Sequence, residues 1–160
     1  MHKFSGFLFF LFFIVIAPIS AQKSTIYTHD LKDFESALSL YNAAQYASAK
    51  TIFDDVKATA TTEDLKSDCA YYAASCAIFM NQSNGNELME RFVSDYPTSV
   101  KQNQAYIAIA HYYFNQGGYP QSLEWFDKVD ESNLSRSDRD TFNFQKGYSF
   151  FNSKKDRKST

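Results

Sequence analysis

Glycine and proline are scarce, with five and three residues in a chain of 160. So little turn-forming material excludes long irregular loops and points to packed helices. Charge of one sign is missing as well, since 16 basic residues face 18 acidic ones and the formal net charge is −2. No global field draws such a chain to nucleic acid or to an anionic membrane, so neither is an expected partner. The sequence has no His-x-x-x-His pair, no glycine-rich phosphate loop and no Gly-x-Ser-x-Gly elbow. These are the patterns by which zinc, nucleotide and serine-nucleophile chemistry are read from sequence, and no cofactor, metal or small-molecule substrate is expected. A single long apolar run is present, Phe7 to Ile16. It is shorter than the roughly 20 residues a bilayer-spanning helix needs.

That run follows His2 and Lys3 and is followed by Ile19-Ser20-Ala21, a small-residue cleavage site ahead of Gln22. The order reads as a secretory signal over residues 1–21, with an uncleaved membrane anchor as the alternative. No cysteine stands at the cleavage site, so a lipid anchor is not supported. Export admits disulfides, and the mature chain holds two cysteines, Cys69 and Cys76. Seven residues along a helix put them on one face about 10 Å apart. A disulfide does not tolerate that separation, so both are read as small apolar residues in a helix interface, ahead of intermolecular pairing or metal binding.

Aromatic residues are abundant, at 18%, and they recur. Tyr41-Asn42, Phe114-Asn115 and Phe151-Asn152 each close a run of aromatic and small residues, and Tyr46 and Tyr119 come shortly after the first two pairs. Ala37, Ala74, Ala110 and Gly147 fall at steps of 37, 36 and 37. A fixed period in this range signals a stacked array of supersecondary units.

Residues 22–29 are polar and read as a leader, with Asp30 as N-cap of the first helix. The first unit, residues 30–60, pairs a helix carrying Phe34, Leu38 and Tyr41 with one carrying Ala49, Phe53 and Val56. The second, residues 62–97, opens on Thr62 as a cap, runs through a dense small-residue stretch, and stops at Tyr96-Pro97. The third, residues 99–131, has Tyr106, Ile109, Ala110 and Tyr113, then a turn at Asn115 to Gly118, then Pro120 at the start of a helix carrying Ser122, Phe126 and Val129. Ser135 and Asp138 form a capping box for a fourth, incomplete unit, residues 135–152. Residues 153–160 form a basic polar tail, too polar for the partner helix that the period demands.

These residues resemble the tetratricopeptide repeat. The third unit matches along Tyr106, Ile109, Ala110, Tyr113, Tyr119, Ser122, Phe126 and Val129, and the first along Ala37, Leu40, Tyr46, Ala49, Phe53 and Val56. The second matches through Ala74 and Phe92, and the fourth only through Gly147 and Phe150. The resemblance implies an all-α, right-handed α-solenoid of about three and a half helix-turn-helix units. With the signal segment, it implies an exported, periplasmic scaffold that binds a protein or peptide partner in the cell envelope and is not an enzyme. In the family the first helix of each unit lines a ligand groove. Carried over, the groove residues are Phe34, Leu38, Tyr41, Asn42, Tyr71 and Ser75, then Ile107, His111, Phe114 and Asn115, then Phe144, Tyr148 and Phe151.

Competing assignments bear on these residues. The aromatics also serve as filler between helices, and Asn42, Asn115 and Asn152 read more readily as left-handed helix stops than as ligand contacts. His111 is the one histidine inside a helical pattern, and it reads as a polar groove residue rather than as a base for a Cys76 nucleophile. Asp54-Asp55 and Asp138-Asp140 read as solvated charges. The last aromatic helix, lacking its partner, predicts exposed apolar surface and self-association. It also motivates the alternative that the chain is the N-terminal part of a longer repeat protein, a spacer whose function resides downstream.

Overall fold

The computed structural model describes residues 20–156, with side chains from 29 to 154, and everything described is helix or connector. Seven α-helices succeed one another among the described residues: α1 (Ser20–Asn42), α2 (Tyr46–Thr59), α3 (Glu63–Phe79), α4 (Gly85–Asp95), α5 (Gln102–Asn115), α6 (Tyr119–Phe126) and α7 (Arg136–Asp156). A single turn of 3-10 helix, Glu131–Asn133, joins the last two. The class is all-α, and each helix packs against the next. Most of the segment read as a signal lies outside the described residues.

Three apolar cores hold the stack, each built from three successive helices. Ala37, Phe53 and Cys69 share the first, Ala74, Phe92 and Ile109 the second, and Ala110, Phe126 and Phe142 the third. Phe53 and Phe126 are fully buried. Burial of a side chain this size stabilises by about 1.5–3 kcal/mol.

The local signals act as their chemistry requires. The Thr62 hydroxyl accepts from the Leu65 amide at 3.4 Å, capping α3. Ser135 accepts from the Asp138 amide at 3.1 Å and donates to that carboxylate at 2.7 Å, which fixes the start of α7. Pro120 sits in the first turn of α6, and α4 ends just before Tyr96-Pro97.

Three features recur at one step. The turns after α1, α3 and α5 each contain one left-handed residue: Ala44 (φ 58°), Asn81 (φ 53°) and Gly117 (φ 75°). In each turn the next amide reaches five residues back, Gln45 to Leu40 O, Gln82 to Ala77 O and Gly118 to Tyr113 O, all at 2.8–2.9 Å. The left-handed residue's own amide reaches three back, and the two hydrogen bonds together close a Schellman turn. Seven residues before each left-handed residue stand Ala37, Ala74 and Ala110, at most 1% exposed. Fourteen before stand Asp30, Ser67 and Asn103, polar side chains that latch each unit's first helix to the exit of its second. Asp30 accepts from Thr59 Oγ1 at 3.2 Å, and Ser67 donates to Ser99 Oγ at 2.8 Å. Asn103 holds both the amide and the carbonyl of Asp130, at 2.7 and 3.1 Å.

Several boundaries differ from the sequence expectation. Residues 22–29 are the opening turns of α1 rather than a leader, and Asp30 is a buried latch inside that helix rather than its cap. Neither Asn42 nor Asn115 takes the left-handed conformation. Each ends its helix, and the left-handed residue lies two positions beyond. Phe151-Asn152 is not a stop at all, because α7 continues through Ser153 and Lys154 to Asp156. There the Asn152 amide donates to Tyr148 O at 2.9 Å and Ser153 to Phe150 O at 3.1 Å, so the side chains follow the helix instead of ending it.

Candidate functional site

The groove residues divide by environment. Phe34 lies edge-on to Phe53 and Tyr72, with centroids 5.6 and 6.0 Å away, and Leu38 packs on the same core. Tyr71 meets Phe92 at 5.6 Å, and buried Ser75 donates to Tyr71 O at 2.9 Å. Ile107 packs on the third core. These side chains fill space between helices. Asn42 and Asn115 are exposed, and so are Phe144, Tyr148 and Phe151.

Tyr41 and Phe114 make matching corners. Tyr41 packs on Tyr46 at 5.6 Å and on Phe79 of the next unit at 6.0 Å. Phe114 packs on Tyr119 at 5.9 Å and on Tyr148 of the next unit at 5.7 Å. Edge-to-face pairs of this kind contribute about 0.5–1.5 kcal/mol beyond their burial. The aromatic-Asn pairs therefore brace the turn and tie it to the following unit. Burial, with Tyr71 close by, pushes the Tyr41 phenol up to about 12.

Between the ends of α3 and α5 opens a cleft of about 540 Å³ that takes in His111 and Asn115. Its lining adds Asn81, Gln82, Asn86 and Gln116, with Phe79 and Tyr112 as aromatic walls. No lining residue carries a formal charge, because burial lowers the His111 pKa against the opposing pull of Asp138 and keeps the imidazole neutral. Below the cleft, Glu90 accepts from Asn86 Nδ2 at 2.6 Å and from the Tyr113 hydroxyl at 2.9 Å. That orients the Asn86 amide. Its Oδ1 is buried and has no hydrogen-bond partner among the described residues. An unpaired buried carbonyl costs about 1–3 kcal/mol.

Sequence reasoning found His111 and Asn115 but missed the amides from the connector. The legible signal was the connector itself, in which Gln82, Ser83 and Asn84 follow the left-handed Asn81 before α4 begins at Gly85, longer than its counterparts. At Gly85 the backbones of α3 and α4 nearly touch. A Cβ there would lie 2.9 Å from Ile78 N and 3.0 Å from Ala77 C, so glycine is required.

Cys76 and His111 stand apart, Cys76 in the first core and His111 against the Phe126 ring at 5.8 Å in the third. Both cysteines are free and buried, with burial pushing Cys69 up to about 12 and Cys76 to about 11. Thiols in that state are inert near neutral pH. Asp54 pairs with Lys50 at 2.6 Å along α2. Among the described residues no group of three or more His, Cys, Asp or Glu side chains is placed to hold a metal ion. No described helix is long and apolar enough to cross a membrane. No protein-family model, no curated protein and no solved structure matches this chain.

Proposed function

We propose that this chain is an exported, non-enzymatic scaffold of the tetratricopeptide type, a right-handed solenoid of helix pairs that holds a protein or peptide partner in the cell envelope. One observation carries the reading. Latch, small residue and left-handed turn residue recur together at steps of 37 and 36 residues, as Asp30, Ala37 and Ala44, then Ser67, Ala74 and Asn81, then Asn103, Ala110 and Gly117. In a stack repeated in this way each unit is held in place by its neighbours. The stack shapes the cleft between α3 and α5 before a partner arrives, so the partner bears most of the ordering cost.

The cleft's chemistry suits a neutral, extended peptide segment. Amides supply donors and acceptors to main-chain groups, and aromatic walls give apolar contact. The export and periplasmic assignments rest on the signal-like order of residues 1–21.

Crosslinking in intact cells followed by purification tests the proposal. The expected result is a defined adduct whose recovery falls at least tenfold in an Asn115→Ala, Gln116→Ala double variant, both positions being exposed and cheap to change. Unchanged recovery would remove the cleft from the account, and the absence of any specific adduct would remove the scaffold. A second reading, a structural spacer within a longer array, draws support from the exposed rings on α7. It predicts that the double variant leaves every assembly intact.

A further inference from the structure

The three latches perform one task with different chemistry. Ser67 and Ser99 are both neutral, and Asn103 uses its two amide atoms on the backbone of Asp130. Asp30 brings a carboxylate to the same work. Its Oδ1 accepts from Thr59 Oγ1 at 3.2 Å, whereas Oδ2 has no hydrogen-bond partner among the described residues, and the residue is only 4% exposed. A buried carboxylate is costly unless a cation pairs with it, and the latch needs only one neutral acceptor. The charge at this position exceeds what the fold uses.

Asp30 lines an open pocket of about 960 Å³ between α1 and the last turns of α2. Asp33, one turn on along α1, and Asp55, one turn before Thr59 on α2, line it as well. No described lysine or arginine does. Asp33 has His29 Nε2 at 3.4 Å, but among the described residues neither Asp30 nor Asp55 enters an ion pair. Ile52 and Val56 supply the apolar part of the lining. Beside the third latch the fold answers such carboxylates with an ammonium group, since Lys146 Nζ lies 3.1 Å from Asp127 and 3.5 Å from Glu131.

We propose that this pocket binds an alkylammonium group from outside the chain, either a lysine side chain of a partner or a free aliphatic polyamine. The ammonium lies among Asp30, Asp33 and Asp55, with its methylene stem against Ile52 and Val56. A metal ion is the poorer fit. It needs its carboxylates converged on one point, and among the described residues no three such side chains are placed for that. An ammonium group donates to whichever carboxylate it meets and is drawn by the charge of the others. The proposal goes beyond the scaffold reading and does not rest on it. The pocket stands at the latch end of a helix pair, whereas the uncharged cleft stands at the turn end.

Nuclear magnetic resonance on the isotope-labelled protein tests it, with separate titrations of spermidine, of acetyl-Ala-Lys-Ala-amide, and of the same peptide acetylated on its lysine. Saturable amide shifts are expected at residues 29–33 and 52–59 with spermidine or the lysine peptide, and none with the acetylated peptide. Whichever of the two amines binds at least tenfold tighter identifies the source. Asp30→Asn, which still offers Thr59 an acceptor, is expected to weaken binding at least tenfold, and Asp55→Asn, at an exposed position, at least threefold. Asp54→Asn, paired with Lys50 and outside the pocket, is expected to leave it unchanged. Should Asp30→Asn disturb amides beyond the pocket, Asp55→Asn carries the test alone. No saturable shift, the result if one of the chain's own lysines already fills the pocket, would overturn the proposal. So would shifts that the acetylated peptide reproduces, or binding that both pocket variants leave intact. Calcium chloride moving the same amides with higher affinity than either amine would also overturn it, because the site would then be a metal site.

Discussion

On α5, Ala110 is fully buried beneath Ser122 and Phe126, whereas on α7 the residue at the same register, Gly147, faces open space. The two helices share the small residue at this register and the aromatic pair that follows it, Tyr113-Phe114 on α5 and Phe150-Phe151 on α7. They differ in the turn at their C-terminal ends. After α5 a left-handed Gly117 reverses the chain and brings α6 back across the small residue; after Phe151 the helix runs on, and no covering helix returns among the described residues. An aromatic side chain thus means core in one unit and open surface in the next, with the turn making the difference.

The largest expected contrast is between Phe126 and Phe151. Phe126→Ala removes a fully buried ring and is expected to cost about 3–5 kcal/mol in urea unfolding. Phe151→Ala is expected to change stability by less than about 0.5 kcal/mol, and a comparable loss at both positions would break the comparison. The small-residue register gives the next test. Ala110→Leu overpacks a closed crossing and is expected to cost about 1–3 kcal/mol. Gly147→Ala is expected to stabilise by up to about 1 kcal/mol, since alanine is the better helix former and has room.

The latch ranks third. Asn103→Ala removes both bonds to Asp130 and is expected to cost about 1–2 kcal/mol, while Asp140→Ala, at the same register on α7 and exposed, is expected to be neutral by the same assay. The smallest effect is a pH dependence. Burial holds the folded-state pKa of His111 below its unfolded value, so the unfolded chain takes up the proton first. Stability present above the ordinary imidazole pKa is therefore lost as pH falls through it. Thermal melts across pH 5 to 8 are expected to show a slope that His111→Gln reduces.

How legible this was in the sequence depends on the range of each signal. Helix starts at Thr62, Pro120 and Ser135 and the stop before Pro97 are set by neighbours a few residues away, and they were readable. The small residues were readable because their period survives in the sequence. Asp30 misled, because a cap and a buried latch require the same residue type, and Thr59, which distinguishes them, lies 29 positions on. The aromatic-Asn pairs misled at α7 because the turn is decided two residues later. Ala44 and Gly117 adopt the left-handed conformation there, and Lys154 stays helical. Of the cleft, His111 and Asn115 were visible, while the connector amides gained meaning only once α4 had been placed against α3.

Thiol labelling tests the central claim most directly, because the native cysteines are buried and silent. Ala110→Cys and Gly147→Cys variants, treated with a water-soluble maleimide under native conditions, report whether one register position is closed on α5 and open on α7. The account predicts rapid modification at 147 and protection at 110 until the protein unfolds. Equal protection, or equal reactivity, would contradict it.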